Sequence, residues 1–306
     1  MSEQTAVPSG IADHRDFVAA LDMDQRVALN RRRDGPALRK LAVHVAIIAG
    51  FALAIGLHVP FWPLLMLPLG ILLIFLFTLQ HEAAHDTLFR TPALNRWVLR
   101  ICGVITVVPP LWFRFFHLAH HRHTQDPDND PELEGGKPET ITQYAWHITG
   151  IPMWVTMVRV LLRNALGRVE YEYVPQGARR RVVVEARVQL AMYALAGAAS
   201  LAAQSTLLLY IWVIPAMLGQ PLLRLYLLAE HGRCPLVANM LENTRTTYTN
   251  RLVRWLAWNM PYHAEHHAVP TVPYHQLPAL HELAKPHLRT TADGYVAFNR
   301  DYAAQL

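Results

Sequence analysis

The chain has 306 residues, of which 52 % are hydrophobic and only 17 % charged, where an average soluble chain is about a quarter charged. Two cysteines, Cys102 and Cys234, form no CxxC pair, which argues against thiolate metal sites, iron–sulfur clusters and a disulfide framework. The formal charge of +5 comes from clusters such as Arg31–Arg33 and Arg179–Arg181. Beside apolar spans such clusters mark the cytoplasmic face of a membrane, so no nucleic-acid partner is expected.

Residues 1–35 are polar, carry both signs of charge and lack the apolar core of a signal peptide. They read as a retained, partly disordered cytosolic tail. Leu38 to Leu57 is almost wholly apolar and has the length of a helix that crosses a hydrocarbon core of roughly 30 Å. His44 within it reads as a packed polar group. A second span, Leu64 to Leu79, runs directly into His81-Glu82-Ala83-Ala84-His85. Arg39 and Lys40 at the entry place the start in the cytoplasm, and two crossings return this first histidine box there.

Residues 93–113 are apolar but interrupted by Arg96, Arg100 and Pro109-Pro110. A full crossing would put the next box across the bilayer from the first, so this segment reads as re-entrant or interfacial. The second box is His117-Leu118-Ala119-His120-His121, followed by an acidic, proline-rich loop from Asp126 to Glu132. Residues 148–163 read as an interfacial amphipathic helix. Val188 to Ala203 and Ser205 to Ala229 form a second expected hairpin, ending at Glu230-His231. The third box, His263-Ala264-Glu265-His266-His267, lies in a polar C-terminal region. The expected fold is an all-α membrane protein. Four transmembrane helices in two hairpins, plus interfacial or re-entrant helices, are capped by a cytosolic histidine-rich metal-binding region. Its expected limits are residues 36–290, with a C-terminal tail at 291–306.

Positions i, i+3 and i+4 share one face of a helix. His81 and His85 therefore point one way, as do His117, His120 and His121, and again His263, His266 and His267. Neutral imidazole suits zinc, copper, iron and nickel. Eight imidazoles exceed the four ligands of a structural zinc, and the surplus predicts two metals. His231, at the end of the fourth span, is a ninth candidate. Ligand imidazoles need their other ring nitrogen held, usually by a carboxylate or carbonyl. Glu82, Asp86, Asp126, Asp130, Glu230 and Glu265 lie nearby in sequence and are candidates for that task. The tryptophans, including Trp62, Trp112 and Trp212, read as interface anchors or packing. Arg245 and the threonine-rich 244–249 read as a polar loop rather than a phosphate site.

HEAAH, HLAHH and HAEHH, in this order between two membrane hairpins, resemble the three histidine boxes of the membrane-bound fatty acid desaturase and hydroxylase superfamily. The phrases HLAHHRHTQDPDNDPE (His117 to Glu132) and NMPYHAEHHAVP (Asn259 to Pro270) are similar to that family's surroundings. The resemblance covers roughly residues 38–285. Each box alone is weak evidence, and the three together are specific. The resemblance implies a cytosolic di-iron site with ligands His81, His85, His117, His120, His121, His231, His263, His266 and His267. It also implies an O2- and electron-dependent oxidation of a lipid or fatty-acyl chain. The same ligands suit zinc, which isolated protein can acquire. His123 is an addition to the minimal pattern. No His-Pro-Gly-Gly motif of a fused cytochrome b5 domain occurs. An external electron donor, a ferredoxin or a cytochrome b5 with its reductase, is therefore expected. The expected location is multi-pass in a bacterial cytoplasmic membrane, with the boxes facing the cytoplasm. Two other functions compete. HEAAH is also the H-E-x-x-H of zinc peptidases, which would leave both HxxHH boxes unexplained. A divalent-metal transporter would place its ligands near the bilayer midplane, whereas these boxes lie at or beyond the span ends.

Overall fold

The computed structural model describes residues 12–306. The expected N-terminal tail lies outside the described residues as far as residue 11. From there on it is ordered rather than loose. Asp13 accepts hydrogen bonds from the Arg15 and Asp16 amides and starts α1 (His14–Ala20); Asp22 and Gln25 form a capping box that starts α2 (Met23–Leu29). Phe17 is fully buried, and Arg289 donates to the Ala12 carbonyl at 2.6 Å. The polar composition hid this docking because a few apolar side chains carry it.

The first expected span is α3 (Asp34–Gly56). His44 on α3 is buried and hydrogen-bonds the Leu72 carbonyl at 3.0 Å, a packed histidine as expected. A 3₁₀ turn at Trp62–Leu65 leads into α4 (Met66–Ile74) and α5 (Leu76–Ala84), which together make the second span. Next come α6 (Pro92–Thr106) and α7 (Pro110–His123), bent 102° from each other. Two features force the bend. Val107 sits in the left-handed region at φ 59°, and Pro110 cannot continue the α6 hydrogen-bond ladder. Glu185 fixes the corner, taking Arg100 Nε at 2.8 Å and the Leu111 amide at 2.6 Å, so its charge sits at the start of α7.

Two shorter helices, α8 (Ile141–Ile148) and α9 (Ile151–Ala165), meet at 61°, with α9 over the expected interfacial segment. The third and fourth expected spans are α10 (Gln176–Ala202) and α11 (Ile214–His231), the latter entered through a π turn at Leu209–Val213. Among the described residues, four helices, or up to six if each bent pair is one span, are long and apolar enough to cross a membrane. The second expected hairpin does not pack as one. Instead α10 lies along α9 and α7, whereas α11 packs against α4. That central contact depends on two glycines. A Cβ on Gly70 would stand 1.8 Å from the Pro215 carbonyl oxygen, and one on Gly219 would stand 2.4 Å from the Gly70 backbone. The helices touch backbone to backbone there, which no larger residue permits.

The cap follows: α12 (Met240–Asn243), β1 (Thr246–Thr247), α13 (Arg251–Leu256), α14 (His263–Ala268), α15 (Leu277–Ala284), β2 (Thr291–Ala292) and α16 (Tyr295–Ala303). The two strands pair in parallel. The expected C-terminal tail is docked too. Tyr302 is buried and donates to the Pro138 carbonyl at 2.7 Å, and Asn299 accepts from the Tyr144 hydroxyl at 3.0 Å. Arg245 is buried and donates to the Ala229 and Gly232 carbonyls, capping the end of α11.

Candidate metal centre

Nine imidazoles from four elements converge under the cap. His81 comes from α5 and His85 from its end; His117, His120 and His121 come from α7; His231 ends α11; His263, His266 and His267 come from α14. His85 is partly exposed and the other eight are buried. The rings sort into two groups. In the first, ligand atoms of His81, His85, His117, His121 and His266 lie within 4.8 Å of one another. His85 Nε2 is its hub, 2.7 Å from His117 Nε2 and 3.2 Å from His266 Nε2. In the second, His120, His231 and His267 meet the same limit. His263 joins through its Nε2, 3.1 Å from His231 Nε2. The groups touch where the His121 and His267 rings stack at 3.9 Å.

Hydrogen bonding sets the tautomers of the second group. Asp130 takes the Nδ1 proton of His120 at 2.9 Å, and the Asn243 carbonyl lies 3.4 Å from His231 Nδ1. Thr124 donates its hydroxyl to the His120 carbonyl, so it accepts from His267 Nδ1 at 3.0 Å. Each of these three rings then presents a lone pair on Nε2. His120 Nε2 and His231 Nε2 face each other at 3.1 Å with no proton left to share. In the first group both nitrogens of His81 and of His121 are buried without a partner. Converging lone pairs and orphaned imidazole nitrogens fit bound cations. The histidine clusters are thus able to hold metal.

Burial keeps the third box neutral. It pushes His266 down to about 3, with the neighbouring His120 adding to the effect. His263 and His267 are held well below the usual imidazole range, first by burial and then by the surrounding rings. Neutral imidazole is the ligating form.

The six carboxylates divide. Asp130 holds a ring nitrogen, and Glu230 is the carboxylate beside His263 Nδ1 at 3.6 Å. The other four are not bonded to the box rings. Glu82 accepts from Thr87 Oγ1 at 2.8 Å and from the Tyr274 amide at 3.0 Å, tying α5 to the loop after the third box. Glu265 accepts from His281 and from Thr246, anchoring α14 to its neighbours. Asp86 pairs with Arg114 at 2.6 Å. Asp126 lies in the loop, held by Asn129, with His123 Nδ1 4.0 Å away. Glu82 and Glu265 sit next to helical box histidines, and side chains there point away from the ligand's face. His123, at the last position of α7, stands apart from both groups. Sequence reasoning missed Thr124 and Asn243, which carry no metal-site signature, and Glu132. The Glu132 carboxylate pairs with Lys137 at 2.5 Å, and its Oε2 lies 3.4 Å from His120 Nε2. Burial opposes its charge, but the adjacent Lys137 ammonium outweighs it and helps to hold the carboxyl well below its usual range.

Residues 57–299 match the family model described as fatty acid desaturase. The chain is 27 % identical over 260 residues to the dihydrorhizobitoxine desaturase of Bradyrhizobium elkanii, covering 76 % of this chain and 71 % of that one. It is 25 % identical over 158 residues to the sn-1 acyl-lipid omega-3 desaturase (ferredoxin) of Synechocystis sp., covering 50 % of this chain and 44 % of that one. It is 26 % identical over 210 residues to the sphingolipid delta(4)-desaturase/C4-monooxygenase of Mus musculus, covering 67 % and 59 %. The last two matches thus span less than two thirds of the relative's length. With the family's match running over the histidine-bearing helices and most of the cap, this chain belongs to the fatty acid desaturase family of oxidoreductases.

Proposed function

We propose that the protein is an integral membrane di-iron enzyme that desaturates or hydroxylates a lipid acyl chain, with its histidine boxes facing the cytoplasm of a bacterial cell. The observation that carries this reading is the pair of adjoining imidazole clusters, built from α5, α7, α11 and α14. His81, His85, His117, His121 and His266 would hold one iron; His120, His231, His263 and His267 would hold the other. When bound and supplied with O2 and electrons, such a pair provides the oxidising power that an unactivated C–H bond requires. Both outcomes stay within the proposal, as the mouse relative's name joins a desaturase to a monooxygenase. The cyanobacterial relative's name includes ferredoxin. Here a ferredoxin or a cytochrome b5 with its reductase would deliver the electrons.

The chain's own residues do the positioning. Ile74, Phe77, Val108, Met157 and Leu223, together with Thr106, Gln220 and Arg224, line a small cleft between α4, α5, α9 and α11. Phe77 lies one helical turn before His81, and its ring meets Phe113, which stacks on His117. Asp130, Thr124 and Asn243 keep the ring protons on the outer nitrogens of His120, His267 and His231. The zinc-peptidase reading is disfavoured because Glu82, its required base, is buried and engaged by Thr87 and Tyr274.

Metal analysis and lipid mass spectrometry test the reading together. Purified protein should carry about two metals per chain. Cells expressing it with a working reductase should show lipids that have lost two hydrogens or gained oxygen. One metal per chain, unaffected by replacing His263, would count against two clusters. Unchanged lipids under aerobic conditions would remove the lipid-modifying claim.

A further inference from the structure

The two clusters are unequal by one donor: five imidazoles against four. One carboxylate oxygen lies close to an inward nitrogen of the second cluster. Glu132 Oε2 lies 3.4 Å from His120 Nε2, the nitrogen that also faces His231. Metal–nitrogen and metal–oxygen bonds in such sites are about 2.0–2.2 Å. Two donors on one metal, set between a right angle and the tetrahedral angle, are then about 2.8–3.6 Å apart. The His120–His231 and His231–His263 separations, both 3.1 Å, and the His120–Glu132 separation all fall in that interval.

The protons point the same way. Asp130 occupies Nδ1 of His120, so a neutral His120 offers Glu132 a lone pair and not a donor. The His120 lone pair meets the Glu132 oxygen on one side and the His231 lone pair on the other, and both contacts repel unless a cation lies between the partners. Two contacts fix the carboxylate. Lys137 Nζ holds Oε1 at 2.5 Å, leaving Oε2 directed at the cluster. Asp130 accepts the Glu132 amide at 2.9 Å, so the residue that orients His120 also shapes the turn presenting Glu132.

Resting on the two-metal reading above, we infer that Glu132 supplies a carboxylate ligand to the metal of the second cluster, with Lys137 as its positioning residue. The centre would then have five imidazoles on one metal, and four imidazoles with one carboxylate on the other. The competing reading is an imidazolium at His120 bridging Asp130 and Glu132, with no metal contact from Glu132.

Iron-loaded full-length protein in nanodiscs separates them. Wild type should bind two irons with two distinct Mössbauer quadrupole doublets. Glu132→Gln and Glu132→Ala should retain the iron of the five-imidazole cluster and hold the other at least about tenfold more weakly, with that doublet altered. If both variants bind two irons with wild-type affinity and unchanged doublets, the inference is overturned while the two-metal reading survives. If wild type binds fewer than two irons, both fall. Should the variants fail to fold, a cryo-EM structure of the iron-loaded wild type decides. A Glu132 oxygen within about 2.5 Å of the second iron supports the assignment, and one beyond about 3.5 Å overturns it.

Discussion

His120 Nε2 and His231 Nε2 lie 3.1 Å apart although 111 residues separate them in the chain. Each has its outer nitrogen aimed at an acceptor: the Asp130 carboxylate for His120, the Asn243 carbonyl for His231. Asp130→Asn tests that arrangement. An amide can turn its NH2 toward Nδ1 and move the ring proton onto the inward nitrogen. Metal retention or lipid turnover should fall by about 10–100-fold with little change in fold. Elemental analysis and turnover on the purified variant check it, and wild-type values would show that the Asp130 contact does not set the tautomer.

Glu82→Gln separates the oxidase from the peptidase. The Glu82 oxygen that accepts from Thr87 and Tyr274 becomes an amide oxygen able to accept the same two bonds. O2-dependent lipid oxidation should therefore survive, within about tenfold of wild type. A peptidase loses its general base and its activity with this change. Lipid product analysis of the variant distinguishes the two outcomes.

The α4–α11 crossing should tolerate no side chain at its centre. Gly219→Ala would drive a Cβ onto the Gly70 backbone from 2.4 Å and force the helices apart. The cost should be at least about 1–3 kcal/mol, seen as a lower melting temperature in detergent. Gly197 has nothing within 4 Å of its Cβ position. Gly197→Ala should be neutral or stabilising by up to about 1 kcal/mol. Equal melting temperatures for the two variants would contradict the close crossing.

Acid should destabilise the metal-free protein through the third box. In the unfolded chain these imidazoles titrate near pH 6.5. In the folded chain burial keeps them neutral to far lower pH, to about 3 for His266. The unfolded state therefore binds more protons between these values, and stability falls as pH drops from 6.5 toward 3. Each such ring contributes up to about 1.4 kcal/mol per pH unit. The melting temperature of metal-free protein should decline from pH 7 to pH 5, and a flat profile would show that the rings are already protonated when folded.

Spacing and hydropathy made the nine histidines and the four long apolar helices legible in the sequence. Both are local signals: i, i+3 and i+4 place imidazoles on one helix face, and a run of about 20 apolar residues reports its own length. The docking of the chain ends was not legible, because single residues such as Phe17 and Tyr302 carry it. The packing of α11 on α4 rather than on α10 was likewise hidden, since it depends on Gly70 and Gly219 meeting from different helices.

What the sequence by itself determined is which histidines recur at helical spacing and which segments are long and apolar enough to cross a membrane. The tertiary structure alone decided how the rings divide into two clusters, which nitrogen of each faces inward, and that Asp130 and Glu132 reach His120 while Asp126 does not. The reason is that lone-pair direction and donor spacing depend on side-chain orientation, and on contacts between segments as far apart as His85 and His266, 181 residues along the chain.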